Sequence, residues 1–434
     1  MRFPDTIYAL SSGGLPSGVA VVRISGELAG AALHAIAGGL PEERAATLRT
    51  LRDENGTSLD RALILYFAGP RSETGENMAE LQLHGGKAVV AAVLGWLGRF
   101  PGCRHAEAGE FARRALLNGK LDLTQVEALG DLVAAETESQ RRQALANAGG
   151  AQSRLYNGWR DQLVDWLALV EAELDFADED DIPGGVSAIV WPQVANLARE
   201  VERHVAGFHA GELVREGFQV VILGPPNAGK SSLLNALAAR EVAIVSDQPG
   251  TTRDLVEVAL DAGGFKVVVT DTAGVRDADG VEAIGVRRGL ERARMADLVL
   301  SLLPAGDPGG FVRPPDGVTA LQVRTKSDLR DDPQAPWSVS TVTGFGVDSL
   351  ITELGRRAAA AGRIGAGVVP TRSRQRDLVF AIAGSLRAAA VSEDGLELRV
   401  EFLRAAAANI GRLTGRIDVE DVLDRVFSTF CVGK

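Results

Sequence analysis

The chain has 434 residues, 46 % hydrophobic and 24 % charged, and its 57 acidic side chains outnumber 46 basic ones, for a net charge of −11. That length suits roughly two to three domains, and the acidic balance argues against indiscriminate nucleic-acid binding, which needs a basic footprint. The two cysteines, Cys103 and Cys431, cannot build a disulfide framework or a cysteine-rich zinc site. Met1-Arg2-Phe3-Pro4-Asp5 lacks the apolar core of a signal peptide and no apolar run is long enough for a bilayer, so a reducing cytoplasm is the expected location.

Residues 1–118 read as an α+β domain. Gly18–Ile24 and Arg61–Phe67 are strand-like, rich in β-branched or aromatic residues, while Lys87–Gly98 and Ala106–Leu117 read as helices. The next region, 119–216, is helical. Thr124-Gln125-Val126-Glu127 has the capping-box pattern, in which hydroxyl and carboxylate satisfy reciprocal backbone N–H groups. It predicts one long helix to about Ala148, stopped by Gly149-Gly150. Further helices are expected over Gln152–Phe176 and Pro192–Gly211. The acidic Asp178-Glu179-Asp180-Asp181 between them reads as a solvated loop rather than a metal site. Residues 217–363 alternate strands and helices, the pattern of a mostly parallel sheet. Gly365-Ala366-Gly367 and Pro370 then mark a connection to a second helical part, 364–434. The simplest architecture inserts the α/β domain between two parts of one helical domain. Arg363, Arg372, Arg374 and Arg376, with Arg399, Arg404, Arg412, Arg416 and Arg425, read as solvated helix faces, RNA contact being the alternative.

Chemistry concentrates in the inserted region. After the apolar Val220-Val221-Ile222-Leu223, residues 224–231 read Gly-Pro-Pro-Asn-Ala-Gly-Lys-Ser, and a helical pattern follows from Ser232. A G-x-x-x-x-G-K-S loop between strand and helix is a phosphate-binding loop, since its backbone N–H groups and the helix N-terminus form an anion site. Asn227, Ala228, Gly229, Lys230, Ser231 and Ser232 are therefore expected nucleotide contacts, with Lys230 neutralising β/γ-phosphate charge and Ser231 ligating Mg²⁺. Asp271-Thr272-Ala273-Gly274 ends a strand and places an Asp near the metal and a Gly near the γ-phosphate. Thr325-Lys326-Ser327-Asp328 ends another; a carboxylate there accepts from guanine's N1–H and exocyclic amine, a pair adenine does not offer. Ser340-Thr341-Val342 supplies a loop for the other edge of the base. This order of motifs points to GTP.

Two departures stand out. Thr325 occupies a position usually held by Asn, and its side chain has one proton to donate, so somewhat altered guanine contacts are expected. The final loop reads Ser340-Thr341 where Ser-Ala is usual. Asp247-Gln248-Pro249-Gly250-Thr251-Thr252-Arg253-Asp254 lies between the first and second motifs, and a Thr from such a segment completes Mg²⁺ coordination in GTPases. Val275 stands where small GTPases place a water-orienting Gln; Glu282, about two turns onward, is the candidate in its place, a solvent-facing Glu at a helix start being the alternative.

The chain resembles the MnmE (TrmE) family of tRNA-modification GTPases over essentially its full length. The resemblance rests on Asp5-Thr6-Ile7, Val22–Gly26, Leu81–Gly86, Gly109–Ala115, Leu117–Leu123 and Gly250–Asp254, in order around the nucleotide motifs. The terminal Phe430-Cys431-Val432-Gly433-Lys434 resembles the family's C-terminal signature. It implies a multidomain protein: an N-terminal α+β domain that binds tetrahydrofolate and dimerises, a helical domain, and an inserted α/β P-loop G domain.

Arg23, Glu80, Lys120 and Lys434 match folate-contacting positions. A carboxylate suits the pterin ring and cations suit the glutamate tail of a 5,10-methylene or 5-formyl tetrahydrofolate. Ser231 and Thr252 match Mg²⁺ ligands, Asn227, Ser246, Gln248 and Thr251 match K⁺ ligands, and Glu282 matches the catalytic Glu. Potassium would take the part an arginine finger plays elsewhere. Cys431 is open between a nucleophile for the one-carbon unit and a packed small residue. The resemblance further implies a homodimer working with a flavin-containing, MnmG-like partner, in a heterotetramer or larger, on carbon 5 of the wobble uridine of certain tRNAs. A ribosome-assembly GTPase and a non-catalytic scaffold are the alternatives.

Overall fold

The computed structural model describes residues 3–175, 186–244, 257–271, 290–330, 337–362, 367–392, 395–417, 426–427, 430 and 432–433. The chain divides into two compact units, Met1–Gly130 with Gly411–Lys434, and Asp131–Ile410.

In the first unit, β1 (Thr6–Leu10), β2 (Ser17–Ser25), β3 (Thr47–Arg52), β4 (Ser58–Phe67), β5 (Met78–Gly85) and β6 (Cys103–His105) form one sheet in the order β3-β4-β5-β2-β1-β6. Pairing is antiparallel except between β1 and β6. Period-2 alternation sorts its side chains. Ala20, Val22 and Ile24 of β2 and Ala79, Leu81 and Leu83 of β5 face a core completed by α1 (Ala29–Ala37) and α2 (Lys87–Arg99). Those helices contribute Leu33, Ile36, Val93 and Leu97 at helical spacing. The intervening residues, Arg23 and Glu80 among them, point to the opposite face, where α3 (Glu110–Leu117) supplies Phe111. The C-terminal segment belongs to this unit: Val432 bridges to Ala108, and a Cβ on Gly433 would lie 2.2 Å from the Leu10 carbonyl oxygen.

The second unit contains a five-stranded sheet of β7 (Phe218–Leu223), β8 (Glu257–Ala262), β9 (Phe265–Asp271), β10 (Leu298–Pro304) and β11 (Ala320–Thr325), in the order β11-β10-β7-β9-β8. All neighbours are parallel except the β8 edge. Strands covered on both faces need near-continuous apolar runs, as in Val220–Leu223 and in Leu298–Leu303, where the buried Ser301 donates its hydroxyl to the Val312 carbonyl at 2.9 Å. One face packs on Leu233, Leu234 and Leu237 of α9 (Lys230–Ala238) and on Leu350, Leu354 and Ala358 of α10 (Val347–Gly362). The other packs on Ala293.

Helices α4 (Leu123–Val133), α5 (Glu138–Ala148), α6 (Ala151–Asp175), α7 (Val190–Ala206) and α8 (Phe208–Glu216) precede the α/β layer, and α11 (Ser373–Val391) and α12 (Leu396–Thr414) follow it. α7 packs on α11, burying Val194, Leu197 and Val201 with Val379, Ile382 and Leu386. Gln152 Nε2 donates to the Val369 carbonyl at 2.7 Å and Arg215 Nε to that of Thr371 at 2.9 Å. The β8–β9 turn is held to α5 by Ser139 N donating to Gly264 O at 2.9 Å and by Lys266 Nζ on Glu136 at 2.6 Å.

Two helix expectations need correction. The single helix from Thr124 to Ala148 is two, because Thr137 and Gln140 form a capping box that starts α5. At the start of α4 the acceptor is Asp122, whose Oδ1 takes Thr124 Oγ1 at 2.6 Å and Gln125 N at 3.0 Å; a carboxylate is the stronger acceptor at a positive helix end. The helix expected over Pro192–Gly211 breaks at Gly207, where a Cβ would lie 2.6 Å from Val369, so the glycine lets the 369–370 segment cross.

The arginines mostly brace helices. Arg372 meets Asp131 at 2.6 Å, and Arg404 meets Glu171 at 2.8 Å and Glu401 at 2.6 Å. Arg399 lies 3.4 Å from the Trp191 ring centroid and Arg376 5.0 Å from that of Phe208. The acidic stretch 178–181, Arg363 and Arg425 lie outside the described residues.

Candidate functional site

β7 ends at Leu223 and the chain turns through Gly224–Gly229 into α9. A Cβ on Gly224 would come 2.7 Å from the Leu302 carbonyl oxygen, so the loop can follow this path only with glycine there. Asn227 and Gly229 take φ of 60° and 87°, the left-handed region these two residue types tolerate best. The α9 N-cap carries no side-chain cap, which leaves first-turn amides directed at an anion. Lys230 Nζ donates to the Gly224 and Pro225 carbonyls, each at 3.0 Å, and so arches over the loop. Burial pulls its pKa down, with Asp271 opposing.

Ser231 Oγ donates to Asp271 Oδ2 at 2.8 Å, and Asp271 sits at the buried C-terminal end of β9. A hydroxyl and a carboxylate converging beside a phosphate cradle suit Mg²⁺, which takes few protein oxygens and completes its shell with phosphate and water.

The segment expected to read the base lies at the end of β11. Thr325 donates its hydroxyl to the Ala228 carbonyl at 2.7 Å, tying this arm to the phosphate loop. Lys326 has a φ of 58°, and the chain then turns so that Asp328 is exposed. Asp328 Oδ1 accepts from Ser340 Oγ at 2.6 Å. Ser340 is fully buried, and its Oγ also accepts Val342 N at 3.3 Å and Thr343 N at 3.2 Å. Ser340 thus acts as a brace that aims Asp328, with Thr341 and Val342 on the loop it organises. Strands β7, β9 and β11 all deliver their residues at their C-terminal ends, where open α/β sheets bind ligands. Ser246, Gln248, Gly250, Thr251, Thr252, Thr272, Ala273, Gly274 and Glu282 lie outside the described residues.

The first unit holds a separate charged site. The β2–β5 register sets Arg23 opposite Glu80, and its guanidinium contacts Glu80 and Glu73, each at 2.9 Å, over the Phe111 ring at 5.8 Å. Lys120 Nζ donates to the Pro70 carbonyl at 3.0 Å and its stem lies against Gly75, so one loop, 68–77, contacts two of the three expected cations, Arg23 and Lys120. Lys434 and Cys431 lie outside the described residues. Burial pushes the Cys103 thiol up to about 11.

Sequence reading missed the network beneath. Arg114, fully buried, meets Asp5 at 2.8 Å, Glu110 at 2.9 Å and Glu76 at 3.2 Å, and Arg104 meets Glu110 at 2.6 Å. Only the i,i+4 spacing of Glu110 and Arg114 was readable in advance.

A glycine-rich loop between β7 and α9, tied to carboxylates and hydroxyls at the C-terminal ends of β9 and β11, is the architecture of a P-loop nucleotide-binding protein. Comparisons with known proteins narrow this. A family model described as "GTP-binding protein TrmE N-terminus" matches residues 6–120, and one described as "MnmE helical domain" matches 123–431. The protein named tRNA modification GTPase MnmE from Mesorhizobium japonicum is 54 % identical over 440 residues, covering 99 % of each chain. Its namesakes from Chelativorans sp. and Brucella canis are 52 % and 50 % identical, covering 99 % and 100 % of this chain and 98 % and 99 % of theirs. The chain belongs to the MnmE family. Among solved structures, Aquifex aeolicus Era is 19 % identical over 41 % of this chain and 69 % of its own, with a TM-score of 0.25. The G domain of T. maritima FeoB is 23 % identical over 33 % and 98 %, at 0.22; at these scores the likeness adds nothing to the assignment. No described helix is long and apolar enough to cross a membrane.

Proposed function

We propose that this protein is a GTPase of tRNA modification whose nucleotide site works as follows. The observation that carries the reading is the pairing of Ser231 with Asp271 beside the phosphate loop and of Asp328 with Ser340 beyond the end of β11. The phosphate-loop amides and Lys230 hold the phosphates. Ser231, with Thr252, holds Mg²⁺, which supplies charge neutralisation at the phosphoryl group. Glu282 orients the attacking water, and Asn227, Ser246, Gln248 and Thr251 offer oxygens to K⁺. Asn227 is exposed at the loop's rim, which suits a ligand shared with a partner surface.

At the other site, Arg23, Glu80, Lys120 and Lys434 bind a tetrahydrofolate in a homodimeric first unit. With a flavin-containing, MnmG-like partner in the cytoplasm, the assembly modifies carbon 5 of the wobble uridine of certain tRNAs, with domains at 1–118, 119–216, 217–363 and 364–434. Family membership and the names its relatives carry support this.

One experiment joins the parts. Cells lacking the protein are supplied with wild type or Glu282→Ala and their tRNA nucleosides are profiled, while both proteins are assayed for GTP turnover in K⁺ and in Na⁺. The modified uridine should disappear with Glu282→Ala, turnover should fall about tenfold or more with nucleotide affinity kept, and Na⁺ should not replace K⁺. Unchanged tRNA nucleosides would remove the modification role, and equal turnover in both salts the potassium ligands.

A further inference from the structure

Thr325 has one hydroxyl proton, and it is donated to the Ala228 carbonyl at 2.7 Å. The side chain is 2 % exposed and Ala228 is fully buried, so withdrawing that proton would leave a dry carbonyl unpaired. What Thr325 can still offer a ligand is acceptor capacity alone. A guanine base has two distinct edges: N1–H and the exocyclic amine donate, whereas N7 accepts. With the phosphates on the loop before α9 and the donor edge on Asp328, a bound guanine would turn its N7 edge toward Thr325, which is tied to that loop through Ala228. There an acceptor meets an acceptor.

We propose that this protein reads guanine without a protein hydrogen bond to N7, and that Thr325 is the residue that sets this. The proposal rests on the guanine-nucleotide reading above and deepens it. Discrimination is carried by Asp328, aimed by Ser340, at the N1 and amine edge. Asn, the usual residue at this position, has two amide protons; one could hold Ala228 while the other reached N7.

The test is equilibrium competition on the full-length protein with three nucleotides: GDP, 7-deaza-GDP, which has C–H in place of N7, and inosine diphosphate, which lacks the amine. Wild type should bind 7-deaza-GDP within about threefold of GDP; a larger loss, the size of an ordinary hydrogen bond, overturns the proposal. Thr325→Asn should become sensitive to the N7 replacement by about fivefold or more; a folded Thr325→Asn protein that stays insensitive overturns the placement of the N7 edge. Thr325→Ser keeps a single proton and should behave as wild type; sensitivity there also counts against the proposal. Inosine diphosphate should bind more weakly than GDP. Were it equal, or were GDP not bound at all, the guanine reading itself would fail, an outcome separate from any N7 result.

Discussion

Lys230 and Arg114 are both cations withdrawn from water, and their surroundings differ in kind. Lys230 is met by two neutral carbonyls, Arg114 by the carboxylates of Asp5, Glu76 and Glu110. A cation solvated by dipoles keeps its charge for an incoming anion, and desolvation makes that attraction stronger than in water. A cation ringed by carboxylates is already neutralised and has structure to hold. Arg23 stands between the two cases, with Glu73 and Glu80 on either side. The trio carries net negative charge, which suits the donor groups of a pterin better than the carboxylates of a glutamate tail. Under the proposed folate reading, Arg23 would aim Glu80 and the tail would fall to Lys120 and Lys434.

Removing each cation separates the two kinds, and the largest effect is expected at Lys230. Lys230→Ala should weaken GTP binding on the order of a hundredfold, since a charge-assisted contact to phosphate is lost. The nucleotide-free melting temperature should hardly move, because among the described residues the ammonium's hydrogen bonds go to two loop carbonyls. Competition binding and thermal denaturation check this; a large fall in melting temperature would make Lys230 structural instead.

Arg114→Met should reverse the pattern. It takes one buried partner from each of three acidic groups, of which Asp5 and Glu110 keep Arg104, at a cost of about 3 kcal/mol, while nucleotide affinity stays. The pH dependence has a definite sign. Burial raises the Asp5 and Glu110 carboxyls, but hydrogen bonds from Arg104 and Arg114 outweigh it and hold them below their ordinary values of 3.8 and 4.5. Groups with depressed folded pKa values contribute stability that is complete above the unfolded value and lost as pH falls through the folded one. Wild type should therefore lose stability below about pH 4.5, and Arg114→Met should lose less over the same interval. A slope unchanged by the substitution would show that Arg114 does not hold those carboxyls.

The contrast also explains what could be read from the chain in advance. The nucleotide site is built from short contiguous motifs whose backbone geometry follows from glycine and helix ends, so the loop at Gly224–Ser231 and the strand ends that carry Asp271 and Asp328 were legible. Arg114 was not, because Asp5 and Glu76 lie 109 and 38 residues away and nothing local marks them as partners. The α4–α5 break shows a subtler difficulty. Thr124-x-x-Glu127 and Thr137-x-x-Gln140 carry the same local pattern, and only Asp122 beside the first decides which box forms. Thr325 was legible as a departure from Asn, but its consequence needed the Ala228 carbonyl to be seen beside it.

Ser340→Ala probes the smallest effect. Its hydroxyl is a neutral group hydrogen-bonded to the exposed Asp328 carboxylate, so it lies between the Lys230 and Arg114 designs. Asp328 is exposed and water can replace the lost donor, while Val342 and Thr343 lose the acceptor for their amides. GDP affinity should therefore fall by about tenfold or less, well short of the Lys230→Ala loss, with little change in melting temperature. Inosine diphosphate distinguishes the two routes. If Ser340 works by aiming Asp328, GDP loses more than the inosine nucleotide, because the second hydrogen bond to the amine is the one that needs the carboxylate fixed. An equal loss for both would mean that Ser340 acts through the loop at Thr341 and Val342, and the description of Ser340 as the brace of Asp328 would have to be given up.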